Sequence, residues 1–496
     1  MLHLTTASQR GLLIVSSEVI ARVAEGRLRG VRDGDALRFL GIPYAESPLV
    51  AGRFAAPRPH PSWDGVRDAL RYGATSAQPD RGVTLIPEPI VAGDNELNLN
   101  VFSPDLGAAG LPVLVWIHGG GFFGGGNASP WYRGGPFARD GVVLVSINYR
   151  LGAAGFLELD DAPANRAVRD WIRALEWVQE NISAFGGDPG RVTIGGQSAG
   201  GGACAALLGA PAARGLFRGA ICMSGSSGLS HTADAVRSVT AAMVAQLGVS
   251  PVAEAFEALS PAVIVQAQEA LMGKAMAVRG GQGEEAVVRA LSGGRSLPFA
   301  PWADGAVITA TPLSAVSHGV PLLVGDTANE FTMAWMANDW VTADMVRAGL
   351  TAAGVPVAQV DAYLALPGRP CDIVGQALTD RTFRGPAQQL ASLSAAAWVY
   401  DFGWSSPSGA VPGQAFHCLD VPFAFDNLHE PGVREAAGDA PPAELASAVH
   451  GAWVRFVADG DPGWERYTTA DRQVMLFGDE SSVASDPMRL ARLAWP

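Results

Sequence analysis

A serine in a setting suited to nucleophilic catalysis lies in the string Gly196-Gln197-Ser198-Ala199-Gly200. The apolar run 191–195 precedes this G-x-S-x-G pattern, and the small-residue run 199–206 follows it. A strand, a sharp turn and a helix of small residues expose a serine oxygen above a sheet, and glycines permit the strained backbone that this turn requires. The sequence therefore predicts that Ser198 is a nucleophile at a strand–helix elbow.

A second motif supplies what an attacking serine needs next. The apolar run Leu111–Ile117 leads into His118-Gly119-Gly120-Gly121. Attack on a carbonyl creates an oxyanion, and backbone N–H groups aimed at it stabilise it. We expect the amides of Gly120, Gly121 and Ala199, the residue after the serine, to form this oxyanion hole.

A serine hydroxyl also needs a base, and the base needs an acid that orients it. In folds with such an elbow the chain order is serine, acid, histidine. Asp326 and Glu330 follow the apolar run 321–324 and are the candidate acids. Three histidines come after them, and the residue order alone leaves all three open as the base: His417, His429 and His450.

The elements that would position these groups alternate between strand and helix. Apolar runs predict buried strands at 113–117, 142–148, 192–194, 220–224 and 322–324. Between the second and third, Asn165–Ile182 has apolar residues at helical spacing. The alternation predicts an α/β fold with a doubly wound, mostly parallel central sheet. We expect one domain over 1–496, with helical cap insertions at about 232–291 and 342–366 above the carboxyl edge of the sheet.

Several further strings occur together in a known order, and with them the chain resembles the type-B carboxylesterases of the α/β-hydrolase fold. That family includes bacterial para-nitrobenzyl-type esterases and the cholinesterases. The strings are Phe39-Leu40-Gly41-Ile42-Pro43-Tyr44-Ala45, Leu97-Asn98-Leu99-Asn100-Val101, Asn148-Tyr149-Arg150-Leu151-Gly152, Phe185-Gly186-Gly187-Asp188-Pro189 and Gly460-Asp461-Pro462.

The resemblance implies roles for the open candidates. Residues 325–331 resemble a G-x-x-x-D-E-G string, which implies that Glu330 is the acid, although Phe331 stands where the family has glycine. Asp326 is the second choice. The string from His417 to Phe425 resembles H-x-x-E/D-x-P-F-x-F and implies that His417 is the base, with Asp420 as a supporting acid. His118 would have a structural role.

Composition narrows the partners and the location. The net charge of −13 disfavours nucleic acid, and residues 1–15 show no signal-peptide pattern. Four scattered cysteines and Glu96, at a place where secreted relatives carry cysteine, favour free thiols and the cytoplasm. No metal-ligand spacing, cofactor motif or membrane span is expected, and the chain would be a monomer or a small homo-oligomer.

The expected activity is hydrolysis of small to medium, largely apolar carboxylic esters through an acyl-enzyme. Phe122 and Phe123 follow the oxyanion glycines and would line the substrate pocket. The resemblance implies that residues 78–94 correspond to the aromatic choline site of the cholinesterases, and they contain no aromatic side chain, which disfavours a choline ester. Gln197 and the 417–428 string resemble aryl-carbamate hydrolases, so an aryl-carbamate or activated-amide hydrolase with the same triad is the alternative. A catalytically inactive binding relative and a lipase are further, weaker readings.

Overall fold

The computed structural model describes residues 18–82, 84–225, 230–279, 281–293, 297–315, 319–408 and 412–496, without the side chains of 274–279. In these residues thirteen strands join one sheet. They are β1 (Glu18–Val23), β2 (Gly26–Asp33), β3 (Ala36–Pro43), β4 (Val66–Asp68), β5 (Asn98–Ser103), β6 (Leu111–Ile117), β7 (Val143–Ile147), β8 (Gly187–Gln197), β9 (Gly219–Met223), β10 (Leu322–Thr327), β11 (Ala397–Phe402), β12 (Gln473–Phe477) and β13 (Ser482–Ser485).

The centre of the sheet is parallel. Strands β7, β6, β8, β9, β10, β11 and β12 are parallel neighbours in that order. Antiparallel strands β1, β2, β3 and β5 extend one side, and β13 closes the other. The predicted doubly wound, mostly parallel sheet is confirmed, and each of the five predicted strands lies within or overlaps an observed one.

Helices cover both faces of the sheet. They are α1 (Pro48–Ala51), α2 (Gly135–Arg139), α3 (Gly152–Phe156), α4 (Arg166–Asn181), α5 (Ala199–Leu208), α6 (Ala233–Leu247), α7 (Ala253–Glu257), α8 (Pro261–Arg279), α9 (Glu284–Ser292), α10 (Pro312–Ala315), α11 (Ala343–Ala352), α12 (Val357–Leu364), α13 (Pro370–Thr379), α14 (Gly385–Leu393), α15 (Val421–Ala424), α16 (Val433–Ala437), α17 (Ala443–Asp459) and α18 (Arg489–Ala494). Helix α4 is the one that the apolar spacing predicts.

Alternate residues of β6 divide the core into two layers. Val113, Val115 and Ile117 pack into the cluster that contains α4 and α5, whereas Leu114 and Trp116 pack into the cluster that contains α17. Successive strand side chains point to opposite faces, so a strand that is buried on both faces must be apolar throughout. This explains why β6 reads as one unbroken apolar run.

Both stretches expected to form a cap are helical. The first contains α6 to α9, and the second contains α11 and α12. A third hydrophobic cluster joins them, with Val287 and Leu291 of α9 packed with Val346 and Leu350 of α11. Within the part of the chain that the structure describes, no helix is long and apolar enough to cross a membrane.

Candidate active site

Ser198 lies at the tip of a strained turn between β8 and α5. Its φ of 57° and ψ of −121° are sparsely populated for a residue with a side chain. The backbone holds it there, because its N–H donates to Met223 O at 2.8 Å and its carbonyl accepts from Gly202 N at 2.9 Å. The elbow that the sequence predicts is therefore present in the backbone geometry.

The two glycines of the motif are required by close approach. A Cβ on Gly196 would lie 2.4 Å from the carbonyl carbon of Gly200, and one on Gly200 would lie 2.0 Å from Ile117 O. Real Cβ atoms do not approach backbone so closely, so a side chain at either position would push α5 away from β6 and β8. The motif thus fixes how the helix meets the sheet below the serine.

The loop after β6 passes beside the serine. A Cβ on Gly119 would lie 3.3 Å from the Ser198 Cβ, and Gly120 and Gly121 have φ values of 103° and 66°. Gly120 O closes the turn by accepting from Gly124 N at 3.0 Å. Among the described residues, the amides of Gly120, Gly121 and Ala199 donate no hydrogen bond to another backbone group. A ligand that accepted from these three amides would therefore displace no backbone partner.

Glu330 and His417 are in direct contact. Glu330 Oε2 meets Nδ1 of the His417 ring, and both side chains are almost completely buried. Glu330 Oε1 accepts from Thr327 N at 2.9 Å, and His417 N donates to Glu330 O at 3.0 Å. The loops after β10 and β11 therefore present the acid and the histidine as one rigid unit.

Charge and burial act in opposite directions on His417. Burial lowers the pKa of the ring, but the Cys418 sulfur and the Glu330 carboxylate raise it above its ordinary value. Burial also raises the pKa of Cys418, so its thiol is neutral near pH 7. The negative charge that raises the pKa of His417 at this pH is therefore that of Glu330. A carboxylate on Nδ1 leaves Nε2 as the nitrogen that can take a proton from a substrate or a serine.

Phe331 replaces the expected glycine without straining the loop. Its φ of −117° is ordinary, and its ring stacks on the His417 imidazole with centroids 4.6 Å apart. Phe383 covers the same ring at 5.4 Å. The sequence identified Phe331 only as a departure from a motif. The structure shows that it packs against His417.

Gln197 is a further polar neighbour of His417. Its Nε2 lies 3.3 Å from His417 Nε2, and its Oε1 is buried without a partner among the described residues. An amide N–H can donate to Nε2 only while that nitrogen carries a lone pair. The contact therefore fits the neutral tautomer in which Nδ1–H donates to Glu330.

The other candidate acids have different partners. Asp326 is buried and accepts from Arg384 Nε at 3.1 Å. Asp420 accepts from Tyr400 O–H at 2.9 Å, and burial together with the nearby Glu330 raises its pKa to about 7. Of the three carboxylates, Glu330 contacts the imidazole, whereas Asp326 and Asp420 are hydrogen-bonded to Arg384 and Tyr400.

The other candidate histidines lie elsewhere. His450 is on α17, where its Nδ1 meets Ala424 O at 2.8 Å and its Nε2 meets Asp140 at 3.1 Å. His429 lines a separate surface cleft. His118 stacks on Tyr149 at 4.5 Å, and burial lowers its pKa to about 4. It is neutral near pH 7, as expected of a structural histidine.

Ser198 and His417 open into one cavity of about 860 Å³. Aromatic and aliphatic side chains dominate its wall, and they come from loops far apart in the sequence. They include Leu85, Ile86, Phe123, Tyr132, Leu297, Phe331, Trp335, Trp340, Leu378 and Phe383. Arg81, Thr84, Leu85, Ile86 and Glu88 also line the cavity and add no aromatic ring. Both tryptophans come from the segment just before the second predicted cap stretch.

Of the two residues expected to line the pocket, Phe123 lies in the wall of this cavity, whereas the expectation for Phe122 is wrong. Phe122 is fully buried and packs on Phe156 and Trp171 in the core, at 5.2 and 6.1 Å. Its φ of 63° turns the side chain inward while the next residue points into the cavity. Sequence alone gives no signal for a left-handed residue at this position.

Comparisons with known proteins identify relatives that are similar in sequence and in fold. The model of the carboxylesterase family matches residues 17–349. The para-nitrobenzyl esterase of Bacillus subtilis (strain 168) is 34% identical over 483 residues, which cover 93% of this chain and 95% of that protein. The phenmedipham hydrolase of Pseudarthrobacter oxydans is 33% identical over 498 residues, which cover 95% and 97%. A solved PNB esterase superposes with a TM-score of 0.82 at 31% identity, over 96% of this chain and 99% of the other.

Proposed function

Because this chain belongs to the carboxylesterase family and is a carboxylic ester hydrolase, we propose that Ser198, His417 and Glu330 are its catalytic triad. The observation that carries the proposal is the contact of Glu330 with Nδ1 of the histidine that lines the same cavity as Ser198. A buried carboxylate there orients the ring and stabilises the imidazolium that forms during attack.

The chemistry follows from these positions. His417 Nε2 takes the Ser198 hydroxyl proton as Oγ bonds to the ester carbonyl carbon, and the carbonyl oxygen becomes an oxyanion. The amides of Gly120, Gly121 and Ala199 receive this oxygen. The imidazolium then gives its proton to the departing alkoxide, and the acyl group stays on Ser198. Water, activated by the same histidine, releases the acid and restores the serine.

The volume and the apolar wall of the cavity support small to medium, largely apolar esters as substrates. A volume of about 860 Å³ holds a small to medium molecule, and its wall is mostly apolar. We propose that one domain carries the site, and that the helical stretches 232–291 and 342–366 form its cap. Residues of α8, α9 and their flanking loops supply part of the wall, and α11 packs on α9 from outside.

Hydrolysis of aryl carbamates is the second candidate activity. The relative named phenmedipham hydrolase supports it, and the same acyl-transfer steps would serve. An inactive binding relative is not supported, because the serine, the histidine and the acid are all present, Ser198 and His417 line one cavity, and Glu330 contacts His417. The four cysteines are free and buried, which supports the proposal of a cytoplasmic location.

Stopped-flow release of phenol separates ester from carbamate specialisation. Nitrogen donates into the carbonyl of a carbamoyl-enzyme and makes it a poor electrophile. We therefore expect a burst of phenol and a slow steady state with a phenylcarbamate, and fast continuous turnover with 4-nitrophenyl butyrate. Steady turnover of the carbamate without a burst, at a rate above that of the best ester, would make carbamate hydrolysis the principal activity.

A further inference from the structure

A charged pair interrupts the apolar wall of the cavity. Arg81 and Glu88 both line it, and Arg81 Nη2 bonds to Glu88 Oε2. Their side chains are only 25% and 16% exposed, and apolar Leu85 and Ile86 lie between them in the sequence. An ion pair is expensive to bury, so its position inside a substrate cavity calls for an explanation.

Arg81 lies against the loop that carries the proposed oxyanion hole. Its guanidinium stands over the Phe123 ring, 5.1 Å from the centroid. A Cβ on Gly124 would lie 2.7 Å from Arg81 Nε, so the guanidinium packs directly on the backbone of this loop. Gly124 N donates to Gly120 O at 3.0 Å. The positive charge is therefore held in the same cavity as Ser198, against the loop of Gly120 and Gly121.

The two members of the pair respond differently to a ligand. Arginine stays charged at any pH that a protein tolerates. Burial raises the pKa of Glu88, although Arg81 opposes the rise. A ligand carboxylate would thus meet a permanent cation and an anion that can be neutralised by a proton. A ligand cation would meet Arg81 and an occupied carboxylate.

The remaining charge in the wall has the same sign as Arg81. Among the described lining residues, the arginine and lysine side chains are Arg81 and Arg289, and Glu88 is the one carboxylate. Arg289 pairs with Glu285, whose side chain is 92% exposed, so water screens that pair strongly. Glu88 is thus the one acidic side chain among the described lining residues, in a protein whose net charge is −13.

We propose that Arg81 binds a carboxylate carried by the substrate away from its scissile ester bond, and that Glu88 limits how strongly Arg81 does so. A guanidinium has five donors and suits a carboxylate, so it can hold a second partner beside Glu88. The inference rests on the proposed function, since it concerns the cavity of Ser198.

The proposal is tested by charge selectivity, the ratio of kcat/KM for a substrate that carries a carboxylate to kcat/KM for a matched neutral substrate. On the acyl side, it is kcat/KM for 4-nitrophenyl hydrogen adipate divided by that for 4-nitrophenyl hexanoate, which has the same chain length. On the alcohol side, it is kcat/KM for 4-carboxyphenyl butyrate divided by that for 4-carbamoylphenyl butyrate. Each ratio is taken on one enzyme preparation, so a loss of folded protein cancels.

Opposite changes in two variants are expected. Arg81→Met should lower the ratio on the side that carries the substrate carboxylate by about ten- to a hundredfold, the range for loss of a charged hydrogen bond. Glu88→Gln should raise the same ratio. Arg347→Gln, which removes an equal charge from an exposed pair with Asp361, should leave it unchanged.

Two results would overturn the proposal. One is that neither ratio responds to Arg81→Met. The other is that Arg81→Met and Glu88→Gln change the ratio in the same direction, as expected if the pair only braces the loop. Failure of the proposed function would be seen separately, as hexanoate turnover that survives Ser198→Ala.

Discussion

Glu330→Gln removes the carboxylate that meets Nδ1 of His417 while keeping the length of the side chain. The glutamine can still accept from Thr327 N, whose bond to Oε1 is 2.9 Å. Two things are lost. The imidazolium loses its partner charge, and the amide N–H can donate to Nδ1, which moves the ring proton to Nε2. A ring protonated on Nε2 cannot accept the serine proton.

The two losses have different sizes. An opposite charge within about 4–6 Å shifts a pKa by roughly 1–3 units, so loss of charge alone weakens the base by about ten- to a thousandfold. Loss of the correct tautomer accounts for larger effects, and acid-to-amide changes in triads lower kcat by about 10⁴. We therefore expect kcat to fall by roughly 10³–10⁴ in Glu330→Gln.

The direction in which the pH dependence of kcat/KM shifts is an independent test of the role of Glu330. His417 must be neutral to act, so kcat/KM rises as pH increases through its pKa. Because Glu330 raises that pKa, the rising limb of the wild-type pH–rate profile should be centred above the ordinary histidine pKa of about 6.5. The rising limb measured on the remaining activity of Glu330→Gln should be centred at lower pH.

The assay is 4-nitrophenyl butyrate hydrolysis between pH 5 and pH 10, with matched amide variants of the two neighbouring acids. Asp326→Asn and Asp420→Asn should each lower kcat far less, because Arg384 and Tyr400 are their partners. Active-site titration corrects each rate for folded enzyme. If Asp326→Asn or Asp420→Asn is as damaging as Glu330→Gln, or if the Glu330→Gln limb moves to higher pH, the reasoning is wrong.

Three further predictions follow from contacts in the structure. Gln197→Glu places a carboxylate where the amide Nε2 of Gln197 lies 3.3 Å from His417 Nε2. The negative charge should raise the pKa seen in the pH–rate profile by roughly 1–3 units, and a lower pKa would contradict this. Asp170→Asn leaves the buried guanidinium of Arg150, now bonded at 2.6 Å, without its carboxylate, and denaturant titration should show a loss of about 3–5 kcal/mol in the free energy of unfolding. A loss below about 1 kcal/mol, the range of exposed pairs, would show that this pair is not desolvated. Thiol titration of unfolded, unreduced protein should count the four free cysteines with EDTA leaving activity unchanged, whereas a lower count would reveal a disulfide and argue against a cytoplasmic protein.

Local rules were sufficient where the backbone itself imposes the pattern. Glycine at 196 and 200 is forced by contacts of 2.4 and 2.0 Å, and the apolar spacing of α4 follows from burial of one face. Both patterns involve residues that are adjacent or regularly spaced in the sequence. They predict the elbow, the parallel strands and the helix between them with nearly correct bounds.

Features that depend on distant contacts were not predictable in this way. Neighbouring Phe122 and Phe123 have the same chemistry, and only the φ of 63° at Phe122 decides which enters the cavity. Phe331 meets His417 across 86 residues of sequence, and no periodicity links them. The antiparallel strands β1 to β3 were also missed, because their sequences mix apolar residues with arginine and lack the continuous apolar run of the central strands.

Covalent labelling of the nucleophile tests the central claim most directly. A serine-directed fluorophosphonate should add one label per chain, on the peptide that contains Ser198, with activity falling in proportion to labelling. Ser198→Ala should take no label and lose kcat by roughly 10⁵–10⁶-fold, as removal of a triad serine does elsewhere. A label on another peptide, or substantial ester turnover by Ser198→Ala, would contradict the account.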